Sequence, residues 1–323
     1  MKMIEYNKIQ LGRIAQQYGF VRDTFEKVLR LKEILKFMNN EPYLQEHLVL
    51  KGGTAINMVI FNLPRLSVDI DMDYIPNVTK DEMAEDREKI AAILKEYMDM
   101  EGYQLSTASR FNFSLDAFHY QYRNSAGNMD NIKIELNYSL RSHVLKPIKT
   151  EILTDVFEER FEIRTLAPME VFAAKTNALI SRAAARDLYD FNNMVYYGLF
   201  DSDEKDMFRK CIIFYNSISQ EKVNKTFDTS AIERLTFQKI RRDLFPVLRK
   251  KENFDLDERK LSARKYIADL MQVTAEEMEY MEAFEQKEYR PELLFKDAEI
   301  LERVKEHPMA LWKCKSHDSC YYP

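Results

Sequence analysis

Two short stretches separated by one helical segment constrain the fold of this chain more than any other feature. The first, residues 48–54, is an apolar run that ends in a glycine turn. The second carries Asp69 and Asp71, which alternate with apolar residues. Because successive side chains leave opposite faces of a strand, both carboxylates share one face and the apolar residues share the other. The sequence therefore predicts a strand that is buried on one face and acidic on the other.

The turn and the carboxylates together predict a metal site beside a phosphate site. Gly52 and Gly53 allow close approach of the backbone to a phosphate, the N–H groups at the start of the next helix point toward an anion, and Thr54 adds a hydroxyl. Two Mg²⁺ ions held by clustered carboxylates can activate an attacking oxygen and neutralise a leaving pyrophosphate. Asp69 and Asp71 are the first expected ligands.

A later strand offers a third carboxylate, Glu135, which alternates with apolar neighbours. We expect it to complete the metal site, although the sequence does not fix whether it shares a face with Asp69 and Asp71. Asp73 continues the period-two row near the end of its strand. A residue at the end of a strand can equally well be solvated, so Asp73 is not counted among the expected site residues.

The order of the predicted elements divides the chain into two parts. Helices and strands are mixed up to about residue 165, whereas apolar positions recur every three or four residues from Pro168 onward, as is typical of helices. A chain of 323 residues also exceeds the usual size of a single core. We expect an α+β fold, with a mixed-sheet domain over 1–165 and a helical domain over 166–323. The predicted helices of the second part are 168–182, 186–197, 203–219, 230–250, 258–272 and 275–286.

A second cluster of charged residues lies within the helical part. Lys175 and Arg182 are seven residues apart, or two helical turns, so both cations share a face and can clamp a triphosphate. Asp187 and Asp190 follow near the start of the next helix. The sequence leaves open whether one of them acts as a general base, orients a neighbouring arginine, caps the helix or only lines a charged face.

The stretch 239–251 is rich in cations, although the whole chain carries 48 Lys and Arg against 53 Asp and Glu, a net charge of −5. That net charge argues against a protein that holds nucleic acid by bulk charge alone, so an RNA partner must meet a local basic patch. We expect this stretch to contact the phosphate backbone of RNA. The six cations assigned to that contact are Lys239, Arg241, Arg242, Arg249, Lys250 and Lys251.

The sequence predicts a cytoplasmic protein without a membrane segment. No apolar run approaches the roughly 20 residues that cross a bilayer, and the first residues lack the apolar core of an export signal. Near the C-terminus, Cys314, His317 and Cys320 are soft metal ligands. A closed zinc site normally takes four ligands, so we expect this group to be incidental.

Four ordered blocks resemble the AbiEii/AbiGii toxin family of nucleotidyl transferase-like proteins. Two later segments, 289–295 and 307–313, also look similar, so the resemblance covers the chain from about residue 20 to 313. The four blocks are Lys51-Gly-Gly-Thr-Ala, Arg65-Leu-Ser-Val-Asp-Ile-Asp71, Lys175–Arg182 and Arg186-Asp-Leu-Tyr-Asp190.

The resemblance implies a polymerase β-like nucleotidyl transferase lobe with a C-terminal helical lobe. It also implies roles for individual residues: Asp69 and Asp71 hold Mg²⁺, Lys175 contacts phosphate and Asp187 is a later essential acid. The implied nucleotide-binding residues are Lys51, Gly52, Gly53, Thr54, Arg65, Ser67 and Arg182. One departure concerns the glycine turn, because the common Gly-Ser of the wider fold is Gly-Gly-Thr here, and Thr54 replaces the serine only if it sits in register.

The function implied by the resemblance is the transfer of nucleotides from a nucleoside triphosphate to an RNA acceptor, with tRNA as the expected class. The protein would then be the toxin of a bacterial toxin-antitoxin or phage-defence system, with a separately encoded antitoxin. Two alternatives remain open from the residues. One is nucleotidyl transfer to a small hydroxylated molecule, which the negative net charge favours, and the other is a non-catalytic regulator that binds nucleotide or RNA.

Overall fold

The structure, a computed structural model, describes residues 6–152, 156, 161–219 and 222–315. The described residues form two compact units. The first unit draws on Met1–Arg141, Pro147–Leu166 and Phe245–Glu252. The second unit draws on Ser142–Lys146, Ala167–Leu244 and Asn253–Pro323.

The first unit combines one sheet with several helices. Its strands are β1 Leu48–Lys51, β2 Asp69–Tyr74, β3 Gln104–Leu105, β4 Arg110–Asn112, β5 Leu115–Arg123, β6 Met129–Asn137, β7 Ile148–Glu151 and β8 Glu162–Thr165. Its helices are α1 Lys8–Gln17, α2 Arg22–Asn40, α3 Pro42–His47, α4 Gly52–Thr54 and α5 Lys80–Met100. The short α4 continues directly as a π-helix, Ala55–Ile60, and a 3₁₀ turn covers Phe245–Val247.

The sheet is mixed, as the sequence predicted. Its strand order is β3-β5-β6-β2-β1-β8-β7, and β4 pairs with the same strand, β5, as β3 does. Strand β2 runs antiparallel to β1 and parallel to β6, whereas β5 and β6 form an antiparallel hairpin. This order places β2, the predicted carboxylate strand, in the interior of the sheet.

Helices α2 and α5 cover one face of the sheet. Ile70 and Met72 of β2 are buried on that face, and their alternation with Asp69 and Asp71 is the reason that the acidic side chains face the other way. The two helices also contact each other, because the ring of Phe37 on α2 stacks on Tyr97 of α5 at 3.8 Å between centroids. The sheet therefore has one helix-covered face and one face that carries polar residues.

The second unit is helical. Its helices are α6 Pro168–Arg182, α7 Ala185–Tyr196, α8 Lys205–Ser219, α9 Ser230–Glu233, α10 Phe237–Asp243, α11 Leu256–Leu270, α12 Ala275–Glu285, α13 Ala298–Val304 and α14 Pro308–Cys314, with a 3₁₀ turn at Pro291–Leu293. Among the described residues of the whole chain, no helix is long and apolar enough to cross a bilayer.

The single helix predicted over 230–250 is wrong. The structure has the separate helices α9 and α10, followed by the 3₁₀ turn. Thr236 starts α10 by accepting a hydrogen bond from the backbone N–H of Lys239, and Pro246 has no N–H with which to continue it. The segment after this break belongs to the first unit, where the N–H of Leu66 donates to the carbonyl of Val247 at 2.8 Å.

Candidate active site

The register of the sheet brings three carboxylates to one face. Asp71 on β2 lies directly opposite Glu135 on the parallel strand β6, and Asp69 lies opposite Lys133. Residues paired in this way point to the same side of the sheet. Glu135 therefore shares a face with Asp69 and Asp71, which answers the question that the sequence left open.

Asp71 is at the centre of this group. Burial raises the pKa of its carboxyl to about 6, Lys51 acts in the opposite direction, and the negative charges of Asp69 and Glu135 raise it further. A hydrogen bond between Asp71 and Glu135 adds to the increase. The Asp71 carboxyl therefore keeps its proton up to about pH 6, and below that pH a cation that binds there competes with the proton.

Two lysines flank the carboxylates. The ammonium of Lys51 on β1 contacts Asp73, and that of Lys133 lies 2.8 Å from Glu135. Asp73, for which the sequence allowed a solvated position, is only 1% exposed and forms an ion pair with the half-buried Lys51. Its burial could not be read from the end of a strand, because it depends on the strands that pair on both sides.

The two glycines of the turn lie against the residues of the carboxylate strand. Gly52 has φ +71°, and a Cβ added to it would lie 2.5 Å from Oδ2 of Asp71. A Cβ on Gly53 would lie 3.0 Å from Arg65 and 3.1 Å from Ser67. Any side chain at Gly52 would therefore strike the Asp71 carboxylate, and the backbone of the turn can pass beside it only because the residue is glycine.

Thr54 and Ser67 connect the turn to the start of β2. The Thr54 side chain is fully buried, and its hydroxyl lies 2.9 Å from Oγ of Ser67 and donates to the carbonyl of Asp69. Arg65 is also buried, with a hydrogen bond of 2.9 Å to the carbonyl of Leu66. These contacts position Asp69; contact of Thr54, Arg65 or Ser67 with a nucleotide stays a prediction.

The cluster predicted in the helical part lies within the second unit. The ammonium of Lys175 on α6 is 2.9 Å from Asp187 and 3.1 Å from Asp190, both on α7, and both carboxylates are buried. Arg182 lies 3.5 Å from Asp187 while 71% of its side chain is exposed. The N-cap of α7 is Ala184, so neither aspartate caps the helix through its side chain. Both serve as partners of Lys175.

The basic stretch is divided between the two units. Lys239, Arg241 and Arg242 are exposed residues of α10 in the second unit, where Arg242 pairs with Asp243 at 2.6 Å. Arg249, Lys250 and Lys251 belong to the first unit, where the guanidinium of Arg249 lies 5.1 Å from the ring centroid of Phe20. In the C-terminal tail, Cys314 ends α14, whereas His317 and Cys320 lie outside the described residues.

The carboxylate group suits a hard divalent cation by its donors, since Asp69, Asp71 and Glu135 offer only oxygen. In the present side-chain conformations, Asp71 is hydrogen-bonded to Glu135, and Glu135 forms an ion pair with Lys133. In the described part of the chain, no three His, Cys, Asp or Glu side chains are already arranged around a common centre. The donor set fits a magnesium-like ion, and binding would require rotation of these side chains.

Comparison with known proteins gives the family. The family described as nucleotidyl transferase AbiEii toxin, type IV toxin-antitoxin system, matches residues 36–288, which is most of the chain. This chain belongs to the AbiEii family. The resemblance, the enzyme class and the toxin class predicted from the sequence are thereby confirmed.

A solved structure shows the same fold. The chain is similar to MenT4, a nucleotidyltransferase toxin from Mycobacterium tuberculosis H37Rv, with a TM-score of 0.64 and 15% identity over 96% of this chain and 100% of that chain. No curated protein matches the sequence. Membership of a type IV toxin-antitoxin family implies a nucleotide substrate and a separate antitoxin for this AbiEii protein.

Proposed function

We propose that this AbiEii protein transfers a nucleotide from a nucleoside triphosphate to the 3′ hydroxyl of an RNA acceptor, in a reaction that requires Mg²⁺. The observation that carries the proposal is the row of Asp69, Asp71 and Glu135 on one sheet face beside the Gly52 turn. We expect tRNA as the acceptor class and the cytoplasm as the place of reaction. Modified tRNA ends would block translation, which would account for toxicity and for a role in phage defence.

The reaction exchanges one phosphorus–oxygen bond for another. The acceptor oxygen attacks the α-phosphorus, the bond from that phosphorus to the pyrophosphate oxygen breaks, and pyrophosphate leaves. We assign Glu135 as the acceptor of the hydroxyl proton, because it is on β6, on the side of Asp71 away from Lys51. A divalent ion held by Asp69, Asp71 and one oxygen of Glu135 would supply positive charge for the developing anion, and the other oxygen of Glu135 would take the proton.

The remaining predicted site residues receive roles that fit their contacts. The backbone of Gly52 and Gly53 can approach the phosphates without a side chain in the way, and Lys51 keeps a cation beside that turn. In the second unit, the exposed guanidinium of Arg182 is available to a phosphate. Lys175 and Asp187 are required for activity in this proposal, as the family resemblance implies.

The test is a labelling reaction. Purified protein is incubated with Mg²⁺, each α-labelled nucleoside triphosphate and total bacterial RNA, and the products are separated on a gel. We expect label on a small RNA, lost in Asp71→Ala but kept in Asp99→Ala, which changes an exposed aspartate on α5.

An RNA-free reaction completes the design. Label on a small hydroxylated molecule without RNA would replace the proposal with the small-molecule alternative. Tight binding of metal and triphosphate without any labelled product, for every acceptor tried, would favour the non-catalytic regulator.

A further inference from the structure

The carboxylate face of the sheet continues along the β5–β6 hairpin. Across the ladder, Asp71 is followed by Glu135 on β6 and Ala117 on β5, and Ala117 is paired in turn with Arg110 on β4. The next rung contains Asp69, Lys133 and His119. Paired residues point to the same side, so these side chains extend the same face away from β1.

Further along the hairpin, this face is polar and open to solvent. Gln121 is paired with Asn131 and Arg123 with Met129, and all four are exposed. The opposite side of the same two strands is buried, for example at Ile132, Ile134 and Tyr120. We call the open side the hairpin face; its polar residues are Arg110, His119, Gln121, Arg123, Asn131 and Lys133, and the exposed Met129 lies beside Arg123.

The hairpin face is basic in an acidic chain. Of its six polar residues, three are Lys or Arg, one is a histidine and two are neutral amides, whereas the chain as a whole has a net charge of −5. The acidic residues of the hairpin other than Glu135 are Asp116 and Asp130, which lie on the opposite side, where they pair with Arg87 and Lys27. Because Lys133 is paired with Glu135, Arg110 and Arg123 are the cations that this face offers to an anionic ligand.

The hairpin is held in place from its buried side. Glu26 of α2 is fully buried and accepts hydrogen bonds from the backbone N–H of Ser125, in the hairpin turn, at 2.9 and 3.1 Å. It also pairs with Arg30 at 2.8 Å, and the guanidinium of Arg30 lies 4.3 Å from the ring centroid of Tyr122. The hairpin is therefore supported by the helix layer, while its other face stays available to a ligand.

We propose that the hairpin face binds the 3′-terminal segment of the RNA acceptor and leads its last hydroxyl to Glu135. This inference rests on the proposed function and identifies the surface that it needs. The face is continuous with the carboxylates, and the seven residues from Glu135 to Met129 extend about 20 Å along the strand. The cations match the phosphates of a nucleic-acid strand, and the amides of Gln121 and Asn131 can bond to sugars or base edges.

The expected contribution of two of these cations follows from counterion release. Each phosphate contact of a single strand adds about 0.7 to the slope of log affinity against log salt. Removal of Arg110 and Arg123 should therefore reduce the slope by about 1.4 and weaken RNA binding about 25-fold at 0.1 M salt. Both side chains are exposed, so their loss leaves the core intact.

The experiment compares three double variants by fluorescence anisotropy over a salt series, with deacylated bulk tRNA and a 20-nucleotide single-stranded RNA as probes. The first is R110A/R123A. The second, R110K/R123K, keeps the charge and should retain most of the affinity. The third, R13A/K149A, removes the same charge from exposed positions on α1 and β7, and it should bind within twofold of the parent. The KM for the triphosphate should not change in any of them.

The possible outcomes distinguish the proposed RNA-binding surface from the proposed nucleotide-transfer reaction. Loss of RNA affinity in the alanine variant alone, with unchanged KM for the triphosphate, supports the hairpin face. If the parent labels RNA but R110A/R123A binds RNA with the parent's affinity and salt slope, the hairpin face is refuted and the proposed function stands. If the parent neither binds nor labels RNA, both proposals fall. If RNA binding depends on Arg110 and Arg123 but no RNA is labelled, the hairpin face is supported as an RNA-binding surface and the proposed nucleotide transfer is refuted.

Discussion

Substitution of Asp71 by asparagine should stabilise the metal-free protein while it abolishes nucleotide transfer. Burial and the charges of Asp69 and Glu135 raise the pKa of Asp71 from 3.8 to about 6. A carboxyl whose pKa is raised in the folded state opposes folding when it is ionised, and a shift of about two units corresponds to about 3 kcal/mol. The neutral amide of Asp71→Asn escapes this cost, so at pH 8 the variant should be more stable by up to about 3 kcal/mol.

The pH dependence gives the sharper test. Between pH 6 and pH 4 the folded protein binds more protons at Asp71 than the unfolded chain does, so the parent recovers stability as the pH falls through about 6. At pH 5 this recovery is about 1.4 kcal/mol, and the advantage of the variant should shrink by that amount. The assay is urea unfolding in EDTA at both pH values, with Glu96→Gln, an exposed site on α5, as the control.

Two results would show that the charge of Asp71 does not destabilise the folded protein. One is an Asp71→Asn protein that is no more stable than the parent at pH 8. The other is an advantage that is the same at pH 5 and pH 8. Addition of Mg²⁺ at pH 8 should narrow or reverse the difference in the free energy of unfolding between Asp71→Asn and the parent. The reason is that an ion that binds only the folded parent stabilises the parent by mass action.

Three further substitutions test other parts of the structure. Lys175→Met leaves the buried carboxylates of Asp187 and Asp190 without their ammonium partner, so the free energy of unfolding should fall by about 3 to 5 kcal/mol; a urea-unfolding loss below about 1 kcal/mol would contradict the ion-pair geometry. Glu26→Gln leaves Arg30 buried without its carboxylate, so the free energy of unfolding should fall by about 3 kcal/mol or more in the same assay. An unchanged urea midpoint would argue against Glu26 as a support of the hairpin. Gly52→Ala combines a backbone cost of about 1–2 kcal/mol with displacement of the Asp71 carboxylate, so transfer should fall at least about tenfold. Gly127→Ala, at φ +87° with no atom within 4 Å of the added Cβ, should show only the backbone cost, and equal activity of the two variants would exclude the close approach of the turn to Asp71.

The local elements of this chain could be predicted because their signals are local. Helix α5 begins at a reciprocal capping box that Thr79 and Glu82 form three residues apart. The helix predicted over 168–182 has those bounds as α6. In β2, alternation alone correctly separated the buried face from the acidic face. Each of these features depends on residues that are close in sequence.

The remaining features of the site depend on residues that are distant in sequence. Glu135 joins Asp71 only through the parallel register of β6 with β2, and no property of either strand specifies that register. The ion pair of Asp73 with Lys51 likewise depends on the pairing of β2 with β1. The strands β3, β7 and β8 have two to four residues, too few for a periodic signal, so the edges of the sheet were not predicted.

The most direct test of the central claim concerns Glu135, because its place in the site comes from the sheet register rather than from its own sequence surroundings. The measurement is the single-turnover rate of nucleotide transfer to RNA by Glu135→Gln, with Glu162→Gln, an exposed site on β8 of the same sheet, as the matched control. We predict a loss of at least about 100-fold for Glu135→Gln, as expected for removal of a general base, and a rate close to that of the parent for Glu162→Gln. Equal rates for both variants and the parent would contradict the assignment of the Asp69, Asp71 and Glu135 row as the catalytic centre.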